Sequence, residues 1–179
     1  MNKKNLLVVV GLVALFAGCA GSPETRPEQR GLEARADATV EQFVSRDPSL
    51  GDLLASAAGY AVFPEVMEGG FIVGGSSGVG VVYSRYTPVG YSEMRAGSVG
   101  LQAGGQAFSQ IVVFQTEEAL NRLMAGNFDM SAGVTATALA SGSAASVEFE
   151  GGTAVFVDDE TGLMAGASIE GQSLNFTAK

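Results

Sequence analysis

The clearest hydrophobic pattern in this chain is an alternation between residues 79 and 83. Val79, Val81 and Tyr83 fall on one face of an extended strand, and Gly78 and Gly80 fall on the other. A period of two predicts a β-strand, and glycines on one face indicate a bend or a close approach by another segment. We therefore expect a backbone or a side chain to pack directly over these two glycines.

Apolar residues at helical spacing predict two helices before this strand. Residues 32–44 place leucine, valine, alanine and phenylalanine on one face and mixed charges on the other. Residues 50–58 repeat the pattern, and Ser49 with Asp52 predicts a capping box at the start of that helix. A third helix is expected after Thr116, which suits an N-cap position, and Gly126 is expected to end it.

The rest of the pattern is typical of short strands separated by turns. Pro64 is expected to end a first strand, and residues 86–91 are expected to form a connection. The further predicted strands cover residues 97–107, 111–114, 134–145, 147–149, 153–157 and 162–169. The predicted fold class is α+β: a curved, mostly antiparallel, Gly-rich β-sheet or small barrel with about three flanking helices.

The N-terminus has the pattern of an export signal. Lys3 and Lys4 precede an apolar run over residues 6–17, and small residues lead to Cys19, which is the single cysteine of the chain. We predict a lipoprotein signal peptide over residues 1–18 and acylation of Cys19, with palmitate among the attached chains. A plain signal peptide with an incidental cysteine is the alternative.

Composition then limits the classes of partner. We expect residues 19–29 to form an acylated N-terminus and flexible tether, and residues 30–179 to form one domain. Removing Lys3 and Lys4 changes the formal net charge from −9 to −11. Such a charge opposes nucleic acid, and it opposes anionic lipid unless the few arginines cluster.

Several ordered blocks of sequence resemble the SYLF domain, a lipid-binding module that is also described as actin-binding. The blocks that carry the resemblance are residues 59–64, 69–75, 98–106, 111–114 and 162–171. The resemblance implies a phospholipid ligand. Actin binding is not expected to transfer to an exported bacterial lipoprotein, and the resemblance identifies no protein partner.

The residue types present argue against catalysis and metal binding. Histidine is absent and the lone cysteine is expected to be acylated, so nucleophilic triads and zinc sites lack their side chains. Residues 70–75 have the spacing of a phosphate-binding loop, but Ser76 and Ser77 stand where a lysine is required. Residues 158–160 suit an acidic hairpin turn or, alternatively, a hard cation. We expect no enzyme activity, no cofactor and no metal.

The candidate lipid contacts combine aromatic rings with arginines, which suit the glycerol and phosphate levels of a headgroup. They are Phe71, Tyr83, Arg85, Tyr86, Tyr91 and Arg95. The alternative is that Phe71 and Tyr83 belong to the core and that the arginines are merely solvated. The first helix is likewise open to two interpretations, lying on a membrane or packing on the sheet.

The expected function is that of a bacterial lipoprotein with a SYLF-like domain that binds phospholipid, anchored in the cell envelope at the outer membrane and facing the periplasm. The alternative is a non-enzymatic structural or protein-interaction module of the envelope. Clustered basic or apolar surface favours the first, and an unpaired strand edge favours the second.

Overall fold

The computed structural model describes residues 21–70, 73–99, 104–126, 128–130, 136–138, 142–158 and 171–179. Within them, helices α1, α2 and α3 span Arg26–Arg46, Pro48–Ser56 and Glu117–Met124. The strands β1 to β8 span Gly59–Gly70, Val73–Ser84, Thr87–Val99, Gly104–Phe114, Phe128–Asp129, Ala136–Ala138, Thr153–Asp158 and Ser173–Ala178.

The eight strands form one sheet in the order β5-β8-β3-β2-β1-β4-β7-β6. Neighbouring strands are antiparallel except β6 and β7, which are parallel. The sheet curls into a half-barrel, and the curl brings together rings on distant strands. Phe114 of β4 and Phe128 of β5 lie edge to face inside it, with ring centroids 5.7 Å apart. The predicted α+β class with a curved, mostly antiparallel sheet is confirmed.

Each face of the sheet carries its own hydrophobic cluster. On one face, Leu32 and Phe43 of α1 and Leu50 of α2 pack against strand residues that include Val62 and Ile111. On the opposite face, α3 inserts Ala119, Leu120 and Leu123 among residues of β1, β4 and β8. Helices α1 and α3 therefore lie on opposite sides of the sheet.

Helix α1 starts inside the stretch that was expected to be a flexible tether. The Thr25 hydroxyl accepts a hydrogen bond from the Glu28 amide at 3.4 Å, and the Glu28 carboxylate accepts one from the Thr25 amide at 3.0 Å. Pro27 sits in the first turn, where its missing N–H costs nothing. This capping box starts the helix at Arg26, so residues 26–29 belong to the folded domain.

The start of α2 also differs from the expectation. Its N-cap is Asp47, whose carboxylate accepts from the backbone amide of Ser49 at 3.1 Å. The predicted capping box of Ser49 and Asp52 is wrong, because the fully buried Asp47 takes the capping role two residues earlier. The N-cap predicted for α3 is confirmed, since the Thr116 hydroxyl accepts from the Ala119 amide at 3.2 Å.

Several strand boundaries differ as well. Strand β1 continues through Pro64, because a register shift between Phe63 and Val66 accommodates the missing proline donor. The expected connection over residues 86–91 is instead a turn at Arg85 and Tyr86, followed at once by β3.

The later part of the chain is only partly strand. Residues 147–149 are not a strand, and β8 was not predicted. Between residues 134 and 145, the described residues form strand β6 and the start of a 3₁₀ turn at Ala144–Ser146. The predicted strand over residues 162–169 lies outside the described residues.

Candidate functional site

Two of the predicted lipid contacts point into the protein. The hydroxyl of Tyr83 donates to Asp37 at 2.8 Å, and the hydroxyl of Tyr91 donates to Glu33 at 2.8 Å. Both rings are buried, and both carboxylates belong to α1. These tyrosines therefore attach α1 to the sheet, and they lack the exposure that lipid contact requires. Phe71 lies outside the described residues.

The environment of these tyrosines favours their neutral form. Burial and the hydrogen bond to Glu33 raise the pKa of Tyr91 to about 12. Burial, together with the bond to Asp37, raises the pKa of Tyr83 well above its ordinary value. The hydroxyls consequently remain donors across the physiological range.

A second pair, Arg85 and Tyr86, forms the tip of the β2–β3 hairpin. Both residues have positive φ, 47° and 68°, as a tight two-residue hairpin turn requires. Tyr86 is 57% exposed. Its ring lies edge to face with that of Tyr60, and the two ring centroids are 6.2 Å apart. The Arg85 guanidinium lies 3.3 Å from Glu117, beside a cleft of about 390 Å³ that this glutamate also lines. The tip is exposed, but its arginine already has an acidic neighbour.

Arg95 lies far from this tip. It pairs in register with Ser77 on β2. Eight residue steps separate it from Thr87, the first residue of β3, which corresponds to about 25 Å along the strand. Its guanidinium is 3.2 Å from one carboxylate oxygen of Glu93. The other oxygen of Glu93 accepts hydrogen bonds from the backbone amide of Ser22 at 2.7 Å and from its hydroxyl at 3.2 Å. The two predicted arginines therefore do not share a site.

A groove opens beside Ser22, between the N-terminal segment, α1 and strand β2. Its volume is about 710 Å³. Pro23, Pro27, Leu32 and Val79 supply apolar walls, Arg35 contributes a cation, and Glu24 and Glu28 contribute carboxylates. This combination can accommodate an amphipathic group, and Arg35 is the basic side chain available to an anionic end.

The first half of α1 carries a set of cations that were not among the predicted lipid contacts. Arg26, Arg30 and Arg35 make no ion pair with any described residue, whereas Arg46, Arg85, Arg95 and Lys179 each make one. Arg122 of α3 makes none either, but its guanidinium donates to the Gly151 carbonyl and lies over the Phe128 ring. The Thr25–Glu28 capping box was the sequence signal that could have placed Arg26 on a helix rather than in a tether.

Charge near the N-terminal segment differs from that of the rest of the chain. Four arginines, at positions 26, 30, 35 and 95, lie with four glutamates, at positions 24, 28, 33 and 93, so these charges balance. The whole chain has a formal net charge of −9. This region is thus less acidic than the chain as a whole, which lowers the electrostatic repulsion of an anionic partner.

The described residues contain no group of three or more acidic or cysteine side chains arranged to hold a metal ion. Among them, no helix combines the length and apolar character needed to cross a bilayer.

Comparison with known proteins agrees with the blocks seen in the sequence. The family described as "Ysc84: Las17-binding protein actin regulator" matches residues 95–178, which include most of the chain from β3 to β8. The chain is also 26% identical over 153 residues to Beta cell expansion factor A of Aeromonas veronii. That similarity covers 84% of this chain and 58% of the relative, so the chain spans less than two thirds of the relative's length. Residues 95–178, just under half of the chain, therefore match the Ysc84, or SYLF, domain family, in agreement with the resemblance seen in the sequence.

Proposed function

We propose that this protein is a bacterial-type lipoprotein of the cell envelope, anchored at the outer membrane through acylated Cys19 and facing the periplasm, and that its SYLF domain binds phospholipid. Cys19 lies outside the described residues, and its context of two lysines, an apolar run and small residues supports acylation. The match of residues 95–178 to the SYLF family supports a lipid ligand, because the resemblance to that family implies one.

One observation carries the lipid-binding part of the proposal. Of the four arginines without an acidic partner among the described residues, three lie in the first ten residues of α1, close in sequence to the anchor. The fourth, Arg122 of α3, donates to the carbonyl oxygen of Gly151. Arginine binds phosphate through planar, charge-assisted hydrogen bonds. A chain of net negative charge needs such local contacts, since its long-range field opposes an anionic bilayer.

The anchor is tested by replacing Cys19 with serine. The native protein is expected in the membrane fraction with a mass that includes acyl chains, and Cys19→Ser is expected in the soluble fraction. Mature native protein with an unmodified Cys19 would overturn the anchoring proposal.

Phospholipid binding is tested by flotation of residues 20–179 with vesicles of phosphatidylethanolamine, with and without phosphatidylglycerol. Binding is expected to be weak and greater with the anionic lipid. Replacing Arg30 and Arg35 with alanine is expected to reduce binding, because two of the three unpaired cations of α1 are lost.

The matched control variant replaces Arg85 and Tyr86 with alanine and so tests the exposed hairpin tip. A larger loss from this second pair would move the lipid site to the tip. High salt is expected to weaken binding that depends on headgroup charge.

A protein-interaction module of the envelope is the alternative, and one feature of β8 favours it. Strand β5 pairs with β8 only at Ser173 and Leu174, so the outer edge of residues 175–178 meets no described strand. Such an edge can accept a further strand. Failure to bind any vesicle would favour this alternative. Neither actin binding nor catalysis is part of the proposal, although the family description names its own members as actin regulators.

A further inference from the structure

We infer that the domain lies on its bilayer in one fixed orientation, with the N-terminal half of α1 and the adjoining groove facing the headgroups. The hydrogen bonds between Ser22 and Glu93, called the clip below, hold the N-terminal segment against the sheet and so fix this orientation. This inference rests on the proposed acylation of Cys19. It replaces the picture of a domain at the end of a flexible tether.

The length of the connection is the first argument. Three residue steps separate Cys19 from Ser22, so an extended chain spans about 10 Å at most. From Ser22 onward the chain is held, first by Glu93 and then by the capping box at Thr25. The anchor point must therefore stay close to the surface that surrounds Ser22.

The bonding of Glu93 is the second argument. One of its carboxylate oxygens accepts from the amide and the hydroxyl of Ser22, and the other lies 3.2 Å from Arg95. Its side chain is only 22% exposed, which protects these charge-assisted hydrogen bonds from water. The clip thus joins the N-terminal segment to the middle of β3, a strand of the rigid sheet.

Charge on the mounted face is the third argument. Arg26, Arg30 and Arg35 have no acidic partner among the described residues, and they lie within a few helical turns of the clip. Headgroup phosphates are the complementary charge that a short connection would bring against them. Helix α3 lies on the opposite face of the sheet, where Glu117 and Glu118 begin the helix. That face would point away from the bilayer.

The test measures distance from the bilayer at two labelled positions of the acylated full chain. Acylation blocks Cys19, so a cysteine introduced by Ala34→Cys or by Glu118→Cys is the only free thiol for a fluorophore, and both positions are exposed. The protein is placed in vesicles of phosphatidylethanolamine and phosphatidylglycerol that carry a headgroup-level quencher. Quenching at position 34 is expected to exceed quenching at position 118 severalfold.

Two variants test the clip itself. Glu93→Ala is expected to bring the two quenching values close together, whereas Glu65→Ala, which removes an exposed glutamate from β1 of the same sheet, is expected to leave the difference intact. A flexible Gly/Ser insertion of about twelve residues between Ala20 and Gly21 should also remove the difference without changing any residue of the folded domain.

Equal quenching at both positions in the native, membrane-bound protein would overturn the fixed orientation and leave the anchoring proposal standing. An unchanged difference in both Glu93→Ala and the insertion variant would overturn the role of the clip. Recovery of the native chain in the soluble fraction would overturn the anchoring proposal and this inference together.

Discussion

The side-chain amides of Gln110 and Gln172 hydrogen-bond to each other across the interior of the half-barrel. The Nε2 atom of Gln110 lies 3.0 Å from Oε1 of Gln172, and the reciprocal pair of atoms is 3.4 Å apart. Gln110 belongs to β4, and Gln172 directly precedes β8, which is separated from β4 by three strands in the sheet. Both side chains are buried, so each amide depends on the other for its hydrogen bonds.

We expect Gln110→Ala to lower the free energy of unfolding by about 1–3 kcal/mol, because it leaves the buried amide of Gln172 without a partner. Urea unfolding measures the change. Gln115→Ala, at an exposed position just after β4, is the control and should stay within about 0.5 kcal/mol of the native protein. The Gln110→Ala/Gln172→Ala double variant should lose less than the sum of the two single changes. Additive losses would contradict a coupled pair.

Close packing over Gly80 is confirmed, and it leads to a second prediction. A Cβ atom at this position would lie 2.5 Å from the carbonyl oxygen of Val62 and 2.7 Å from the Phe63 ring. Gly80→Ala should therefore lower the free energy of unfolding by about 1–3 kcal/mol through overpacking. At Gly97 a Cβ atom would meet nothing within 4 Å, so Gly97→Ala is the matched strand control. Equal melting temperatures for the two variants would rule out overpacking at Gly80.

The buried carboxylate of Asp47 yields a third prediction. Burial opposes its ionisation, but hydrogen bonds from Ser49, Ala144, Gly142 and Ser143 outweigh burial and hold the pKa of Asp47 well below its usual range. A pKa that is lower in the folded state stabilises the fold above the unfolded value, which is about 3.9, and this contribution is lost as the pH falls below it.

Asp47→Asn should therefore cost about 2–3 kcal/mol at neutral pH, because an amide presents only one acceptor oxygen to these donors. The difference from the native protein should shrink as the pH falls below about 4. Unfolding in urea at neutral and acidic pH measures both effects. Asp52→Asn, at an exposed position of α2, is the control. A constant difference across the pH range would show that the charge of Asp47 is not responsible.

The attachment of α1 by Tyr91 yields a fourth prediction. The pKa of Tyr91 is raised to about 12, so its neutral hydroxyl stabilises the fold below the unfolded value of about 10, and this contribution is lost as the pH rises toward 12. Tyr91→Phe should cost about 1–2 kcal/mol at neutral pH, and less as the solution becomes alkaline. Tyr86→Phe, at the exposed hairpin tip, should change little. Similar losses from the two variants would contradict a specific role for the Tyr91–Glu33 bond.

The predicted lipid contacts show which features the sequence does not predict: the element that covers a strand face, and the distance in space between two residues that are close in sequence. Alternation along residues 79–83 indicates that Tyr83 shares a face with Val79 and Val81, but not that α1 covers this face. Arg85 and Arg95 are close in sequence, yet they belong to one extended hairpin that carries them far apart. The clip between Ser22 and Glu93 joins residues 71 positions apart, and no local pattern predicts such a contact.

By itself, the sequence determined the features that depend on neighbouring residues. The amphipathic helices, the Thr116 cap, the alternating strands and the SYLF blocks follow from spacing and residue type within short windows. Only the tertiary structure decided which distant groups hydrogen-bond to buried polar side chains such as those of Asp47 and Gln110. Asp47 binds backbone amides 95 and 97 residues away, and the Gln110–Gln172 pair exists only because the sheet curls. A local pattern specifies that a side chain will be buried, but the hydrogen-bonding partner that burial demands is supplied by the whole fold.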